Sequence, residues 1–246
     1  MNFHMNFILD LHCHTVASGH AFSTISENAA HAASVGLTHT AITDHGPAMS
    51  GGAHIYAFMN QGCLPDYIHG VRVLKSAEVN ILNRDGDLDL KNRLLMGMDF
   101  TIASLHRFVC PPAGVEANTA ALVNAMENPA VSILGHPCDG LFEVDFKAIV
   151  AAAARTGTII EINNHTLNPK SPRNTGDEPQ LQLLALCKEY GVPIIAGSDA
   201  HYCTLVGELS RAKALIEAAG IPESQVLNTS AELFFQTVAR KREGIK

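Results

Sequence analysis

The chain predicts an α/β fold, a distorted (β/α)7 barrel, on three observations. Short apolar runs alternate with amphipathic helical stretches along its length. Most of the apolar runs are continuous instead of alternating with polar residues, as expected of strands covered on both faces. Their spacing of roughly 30 residues is that of successive strand-helix units.

The strands are expected at residues 7–13, 38–43, 71–79, 100–105, 131–135, 158–162 and 193–197. That is one fewer than a complete eight-stranded barrel, hence the distortion. Between them, Thr24 and Glu27 form a capping box that opens a helix over 28–35, and Gly36 closes it. Phe146, Ile149, Val150 and Ala153 share one helical face, as do Leu183, Leu186, Cys187 and Tyr190. Ala212, Leu215, Ile216 and Ala219 repeat that stripe. The tail at 227–241, with Leu233, Phe234, Phe235 and Val238, predicts a closing helix or an interface. No Pro/Ser-rich linker or shift of composition divides the chain, so residues 1–246 read as a single domain.

Apolar residues make up 47% and charged residues 17%, enough for a sizeable core. The net charge of −7, without any basic block, argues against nucleic acid or a membrane surface as partner. A phosphorylated small molecule stays open, because divalent ions would reverse the local field. The cysteines, at 13, 63, 110, 138, 187 and 203, form no C-x-x-C pair, which fits free thiols in a reducing cytoplasm. Cys13, between His12 and His14, points away from both on a strand and reads as a buried apolar filler. Residues 1–7 lack the cationic start and apolar stretch of a signal peptide. No apolar run approaches the ~20 residues of a membrane span, and the expectation is a soluble cytoplasmic protein.

Metal-seeking side chains recur at the expected strand ends. His12 and His14 close the first strand, and their i, i+2 spacing points both to one side. His45 follows the second strand, Glu78 ends the third, His106 and His136 follow the fourth and fifth, and Asp199 and His201 follow the last. His20 lies in a Gly-containing loop that can fold over the same rim. Imidazole and carboxylate suit borderline divalent metals, and nine such groups exceed one tetrahedral site but suffice for two or three ions. A lone histidine is usually ordinary surface or a satisfied residue; co-occurrence at matched strand ends carries the metallohydrolase reading.

The motifs H-x-H at 12–14, T-D-H at 43–45, Glu78, S-x-H at 104–106, G-H-P at 135–137 and G-S-D-A-H at 197–201 resemble those of the PHP (polymerase and histidinol phosphatase) family. Within it the chain is most similar to the YcdX-type phosphatases with a trinuclear zinc centre. The resemblance implies a distorted (β/α)7 barrel with the metal site at the carboxyl ends of the strands. It implies His12, His14, Glu78 and Asp199 on one metal, a bridging Glu78 with His106 and His136 on a second, and His20, His45 and His201 on a third. The ions would be zinc, with manganese or iron as alternatives. The activity implied is phosphomonoester hydrolysis by a metal-bridging hydroxide, with Glu78 and Asp199 as the catalytic carboxylates. The resemblance also hints at a homo-oligomer, a trimer.

Arg173, in the loop 163–179, and then Arg107, beside His106, are the candidates to clamp a phosphate, each otherwise a solvated loop charge. Asp10 and Asp44 either orient ligand histidines or serve turns. His165 is a pocket residue or plain surface. Alternatives are histidinol-phosphate hydrolysis, a polymerase-associated exonuclease, an amidohydrolase-type enzyme and a non-catalytic metal-binding protein. An amidohydrolase would normally carry a mid-barrel lysine, whereas here the third strand ends in Glu78 with Lys75 three residues earlier.

Overall fold

The structure, a computed structural model, describes residues 5–244. Among the described residues, nine strands form two sheets. The first holds β1 (Leu9–Asp10), β2 (His39–Ile42), β3 (Tyr67–Ile68) and β4 (Val71–Lys75) in the order β1-β2-β4-β3. The second runs in sequence order through β5 (Glu78–Asn80), β6 (Ile102–Ser104), β7 (Ile133–Leu134), β8 (Ile159–Asn163) and β9 (Ile194–Gly197). Every pairing is parallel except β3 with β4, a short hairpin that the apolar pattern did not announce.

The third expected strand, 71–79, is two strands in different sheets. It breaks at Ser76 and Ala77, where its partner changes. Up to Lys75 it pairs with β2, and from Glu78 it pairs with β6. The break is held from both sides: Ser76 Oγ donates to the Phe100 carbonyl at 2.9 Å, and Gln61 Nε2 donates to the Ser76 carbonyl at 2.7 Å. Single parallel bridges join the two sheets beyond their strand ends, His45 with Glu78 and Cys13 with Ala200.

Helices α1 (Ile25–Ser34), α2 (Ile55–Met59), α3 (Asn92–Leu95), α4 (Val115–Met126), α5 (Phe146–Thr156), α6 (Asp177–Tyr190), α7 (Ser210–Ala218) and α8 (Ala231–Glu243) complete the fold. The capping box of Thr24 and Glu27 is present at the start of α1. Asp145 caps α5 by accepting from the Lys147 and Ala148 amides, and Gly157 ends it in the left-handed conformation. Helices α4, α5, α6 and α7 pack each on the next along the second sheet, turning the expected stripes to the core except at Tyr190, which ends α6 exposed.

The tail is a closing helix. Phe234 and Val238 of α8 join Leu9, Leu11, Ala41, Leu74, Phe100, Ile102, Ile133, Ile159 and Ile195 in one buried cluster fed by both sheets. Phe234 meets Phe100 edge to face at 5.3 Å. That cluster fills the side reached by strand beginnings and leaves the strand ends for chemistry. Cys13 sits with Ala32, Leu37, Val71, Ala200 and Val206, on the outer face away from its flanking histidines. No helix among the described residues is long and apolar enough to cross a membrane.

Candidate metal centre

The sequence of each strand end dictates what it can present. Two glycines admit close approach: a Cβ on Gly197 would strike Glu161 Oε1, and one on Gly135 would strike Ser104 Oγ. The next turns are strained. His136 has φ 28° and Asp199 φ 55°, conformations that cost a non-glycine residue about 1–3 kcal/mol. Surrounding bonds over-determine both. The His136 amide donates to Glu161 Oε2 at 2.7 Å, and His201 Nδ1 donates to the Asp199 carbonyl at 2.9 Å.

Glu78 lies at the middle, fully buried, with its two oxygens facing different neighbours. Oε1 is 2.9 Å from His136 Nε2 and 3.3 Å from His106 Nε2. Oε2 is 2.8 Å from His45 Nδ1, 3.4 Å from His12 Nε2 and 3.5 Å from His14 Nε2. Asp199 Oδ1 adds a contact of 3.1 Å to His14 Nε2 and one of 3.7 Å to His12 Nε2. His20 Nε2 stands 3.0 Å from His201 Nε2, and its ring stacks on that of His45 at 5.0 Å. The structure thus places all nine candidate side chains in one cluster at the strand ends.

Several of these contacts lack hydrogen-bonding geometry. His12 Nε2, His14 Nε2, His45 Nδ1, His106 Nε2 and Glu78 Oε2 are buried without a partner. Each such atom costs about 1–3 kcal/mol if left unsatisfied. Five of them converging on one space is an arrangement that cations would stabilise, and the donor set suits divalent metal. Three groups have ligand atoms mutually within 4.8 Å: His12, His14 and Asp199; His45, Glu78 and His106; and His14, His45 and His201. The residues present fit a multinuclear metal centre.

Supporting bonds choose the tautomers. His12 Nδ1 donates to Glu161 Oε1 at 2.6 Å, and His106 Nδ1 donates to Asn80 Oδ1 at 2.7 Å, so both rings turn Nε2 lone pairs inward. Burial disfavours the Glu78 charge, yet His106, His12 and His45 outweigh it and hold the carboxyl well below its usual range. Asp199 is likewise held well below, because Arg173 and His12 overcome its burial. Burial, reinforced by His45 and His201, pushes His14 well below its ordinary value. His106 falls to about 4 through burial, against the opposing pull of Glu78. His12 moves the other way: burial is outweighed by Glu161, Glu78 and Asp199, and it rises. Glu78 and Asp199 are thus held ionised, and His14, His20 and His106 are pushed toward the neutral form that metal binding requires, while carboxylate neighbours raise His12 and His136 against their burial.

A cleft of about 660 Å³ opens over the cluster, and Arg173 and Arg107 both line it. Arg173 Nη2 donates to Asp199 Oδ2 at 2.5 Å, and Nη1 lies 3.6 Å from Asp139 Oδ2. Arg107 stacks over the Phe108 ring at 4.5 Å. His165 also lines the cleft. Asp10 holds backbone, whereas Asp44 reaches a ligand ring through the Ser18 hydroxyl, which lies 3.4 Å from His14 Nδ1. Asp10 accepts from the Ser198 and Gly207 amides, and Asp44 from Thr15 and Ser18.

Glu161, Asn80 and Asp139 were not anticipated as site residues. The signal for Glu161 was available: a lone acid inside the apolar run Ile159-Ile-Glu-Ile162, every residue of which is buried.

The PHP domain pattern matches residues 10–165. The chain belongs to the PHP family. A probable phosphatase of Caldanaerobacter subterraneus is 44% identical over 98% of this chain and 94% of its own length. One from Acetivibrio thermocellus is 40% identical over 98% of this chain and 99% of its own. A histidinol phosphate phosphatase from Lactococcus lactis, solved with zinc, L-histidinol and phosphate, superposes with a TM-score of 0.61 at 19% identity, covering 87% of this chain and 94% of that one. That likeness is one of fold.

Proposed function

We propose that this PHP-family chain is a metal-dependent phosphatase that hydrolyses a phosphomonoester of a small molecule. The observation that carries the reading is the set of five buried, unpartnered ligand atoms around Glu78. Relatives named probable phosphatases, aligned along nearly the whole chain, support it.

Three divalent ions are proposed, with zinc as first choice and manganese or iron as alternatives. His12, His14 and Asp199 would hold one, Glu78 with His106 and His136 a second, and His20, His45 and His201 a third. The inward faces of Glu78, one oxygen toward His106 and His136 and the other toward His12, His14 and His45, suit a bridging role. Bound ions of this kind supply a water acidic enough to ionise near neutral pH and neutralise charge on phosphate oxygens. The chain's own part is positioning. Glu161 fixes His12 and the His136 turn together, and Asn80 fixes His106. Arg173, now on Asp199, sits where its fork could take phosphate oxygens bidentately, and Arg107 is the second candidate. Most of the cluster is buried away from bulk solvent, with His20 and His201 the more exposed members at the cleft.

The same proposal reads the two sheets as one distorted (β/α)7 barrel. The Cys13–Ala200 and His45–Glu78 bridges and the inner cluster drawn from both sheets support that closure. Six free cysteines support a reducing, cytoplasmic setting.

The test is hydrolysis of p-nitrophenyl phosphate by the purified protein before and after chelation. Chelation abolishes phosphate release and Zn²⁺ or Mn²⁺ restores it. Full activity of metal-stripped protein, verified by elemental analysis, would end this reading.

A further inference from the structure

The metal-facing floor of the cleft is polar, but its walls are not. Met49, Leu105, Phe108, Leu141, Phe142 and Pro172 make up most of the lining above the candidate ligands. Phe108 is 75% exposed, an aromatic ring at the mouth of a polar site, placed for a bound molecule to cover. It is held there in a turn, since the Val109 and Cys110 amides both donate to the His106 carbonyl. The guanidinium of Arg107 lies over that ring at 4.5 Å.

The polar groups left for a leaving group are fewer than the apolar ones, and two of them are engaged with each other. Apart from the candidate ligands, the lining offers Ser50, Arg107, Asp139, His165 and Arg173. Both cleft carboxylates, Asp139 and Asp199, already face Arg173. A substrate ammonium would therefore compete with a guanidinium for either acid. A polyhydroxylated sugar would bury several hydroxyls against carbon, each at a cost unless paired.

From these walls we infer that the substrate is a phosphomonoester of an apolar or aromatic alcohol, its ring or chain against Phe108, Leu141 and Phe142 and its phosphate toward Arg173 and the metal-facing floor. This rests on the phosphatase reading and names its substrate class. A cleft of about 660 Å³ accommodates a single ring with its phosphate and has room to spare.

The experiment compares kcat/KM for benzyl phosphate, glycerol 3-phosphate, glucose 6-phosphate and L-histidinol phosphate on zinc-loaded protein. All are esters of primary alcohols, so intrinsic leaving-group reactivity is nearly matched. Benzyl phosphate is preferred by about tenfold or more, the discrimination that apolar contacts of this size supply. Phe108→Ala, at an exposed position, and Leu141→Ser each lower the ratio of benzyl to glycerol phosphate turnover by about tenfold. Equal rates across the series, preference for the sugar or amino-alcohol ester, or ratios unmoved in both variants overturn the substrate class while the phosphatase reading stands. No phosphate released from any ester overturns both.

Discussion

Glu161→Gln is the most informative single perturbation, because the side chain keeps its shape and loses only its charge and one acceptor. In the native chain one oxygen accepts from His12 Nδ1 at 2.6 Å and the other accepts from the His136 amide at 2.7 Å. Glutamine has a single carbonyl oxygen, so one of the two donors must face an NH₂ group. Either His12 loses the bond that turns its Nε2 inward, or the strained His136 turn, at φ 28°, loses its anchor. A hydrogen bond to a charged group contributes about 1.5–3 kcal/mol. That corresponds to a loss of metal affinity of about 10- to 100-fold, the range seen when the partner of a ligating histidine is removed. The assay is zinc partitioning against a chelator of known affinity, read with phosphatase turnover at limiting and saturating zinc. Weakened affinity with activity largely recovered at saturating zinc is expected. Affinity within threefold of the native chain would refute the orienting role of Glu161.

Glu78→Ala removes the acid that faces five imidazoles, so turnover falls by more than a hundredfold and bound metal drops with it; normal metal content with normal turnover would contradict the shared position. Because burial depresses His106 to about 4 from an ordinary 6.5, the unfolded chain takes up a proton there before the metal-free fold does. The resulting loss of stability is absent above pH ~6.5 and grows to about 3 kcal/mol as pH falls through ~4. Urea unfolding of the metal-free protein across that window should therefore show a shallower slope in His106→Gln, and identical slopes would count against it. Phe234→Ala empties the middle of the cluster beneath the strands and costs about 3–5 kcal/mol, measured as a lowered urea midpoint; a loss under 1 kcal/mol would show that α8 is not a structural plug.

Much of the architecture was legible because burial on both faces writes itself as apolar runs, uninterrupted in Ile194–Gly197 and broken within Ile159–Asn163 only by Glu161 and the final Asn163. The α1 start was legible from Thr24 and Glu27, whose side chains satisfy the first amides locally. The partner change at Ser76 and Ala77 was not, since an apolar run reads the same whether it stays with one neighbour or passes to another. Ligand candidates stood out by residue type and by position at strand ends. Their supports did not: Asn80, Asp139 and Glu161 become meaningful only once distant segments meet.

The Cys13–Ala200 bridge sets a timetable for cation capture. His20 and His201 are separated by 181 positions, so the amino-terminal imidazoles leave the ribosome long before their carboxyl-terminal companions exist. A nascent chain therefore presents only a partial, loosely held chelate to whatever ions surround it. Any ion the centre takes up would be held tightly only once the segment around Ala200 has been made and has paired with the segment around Cys13.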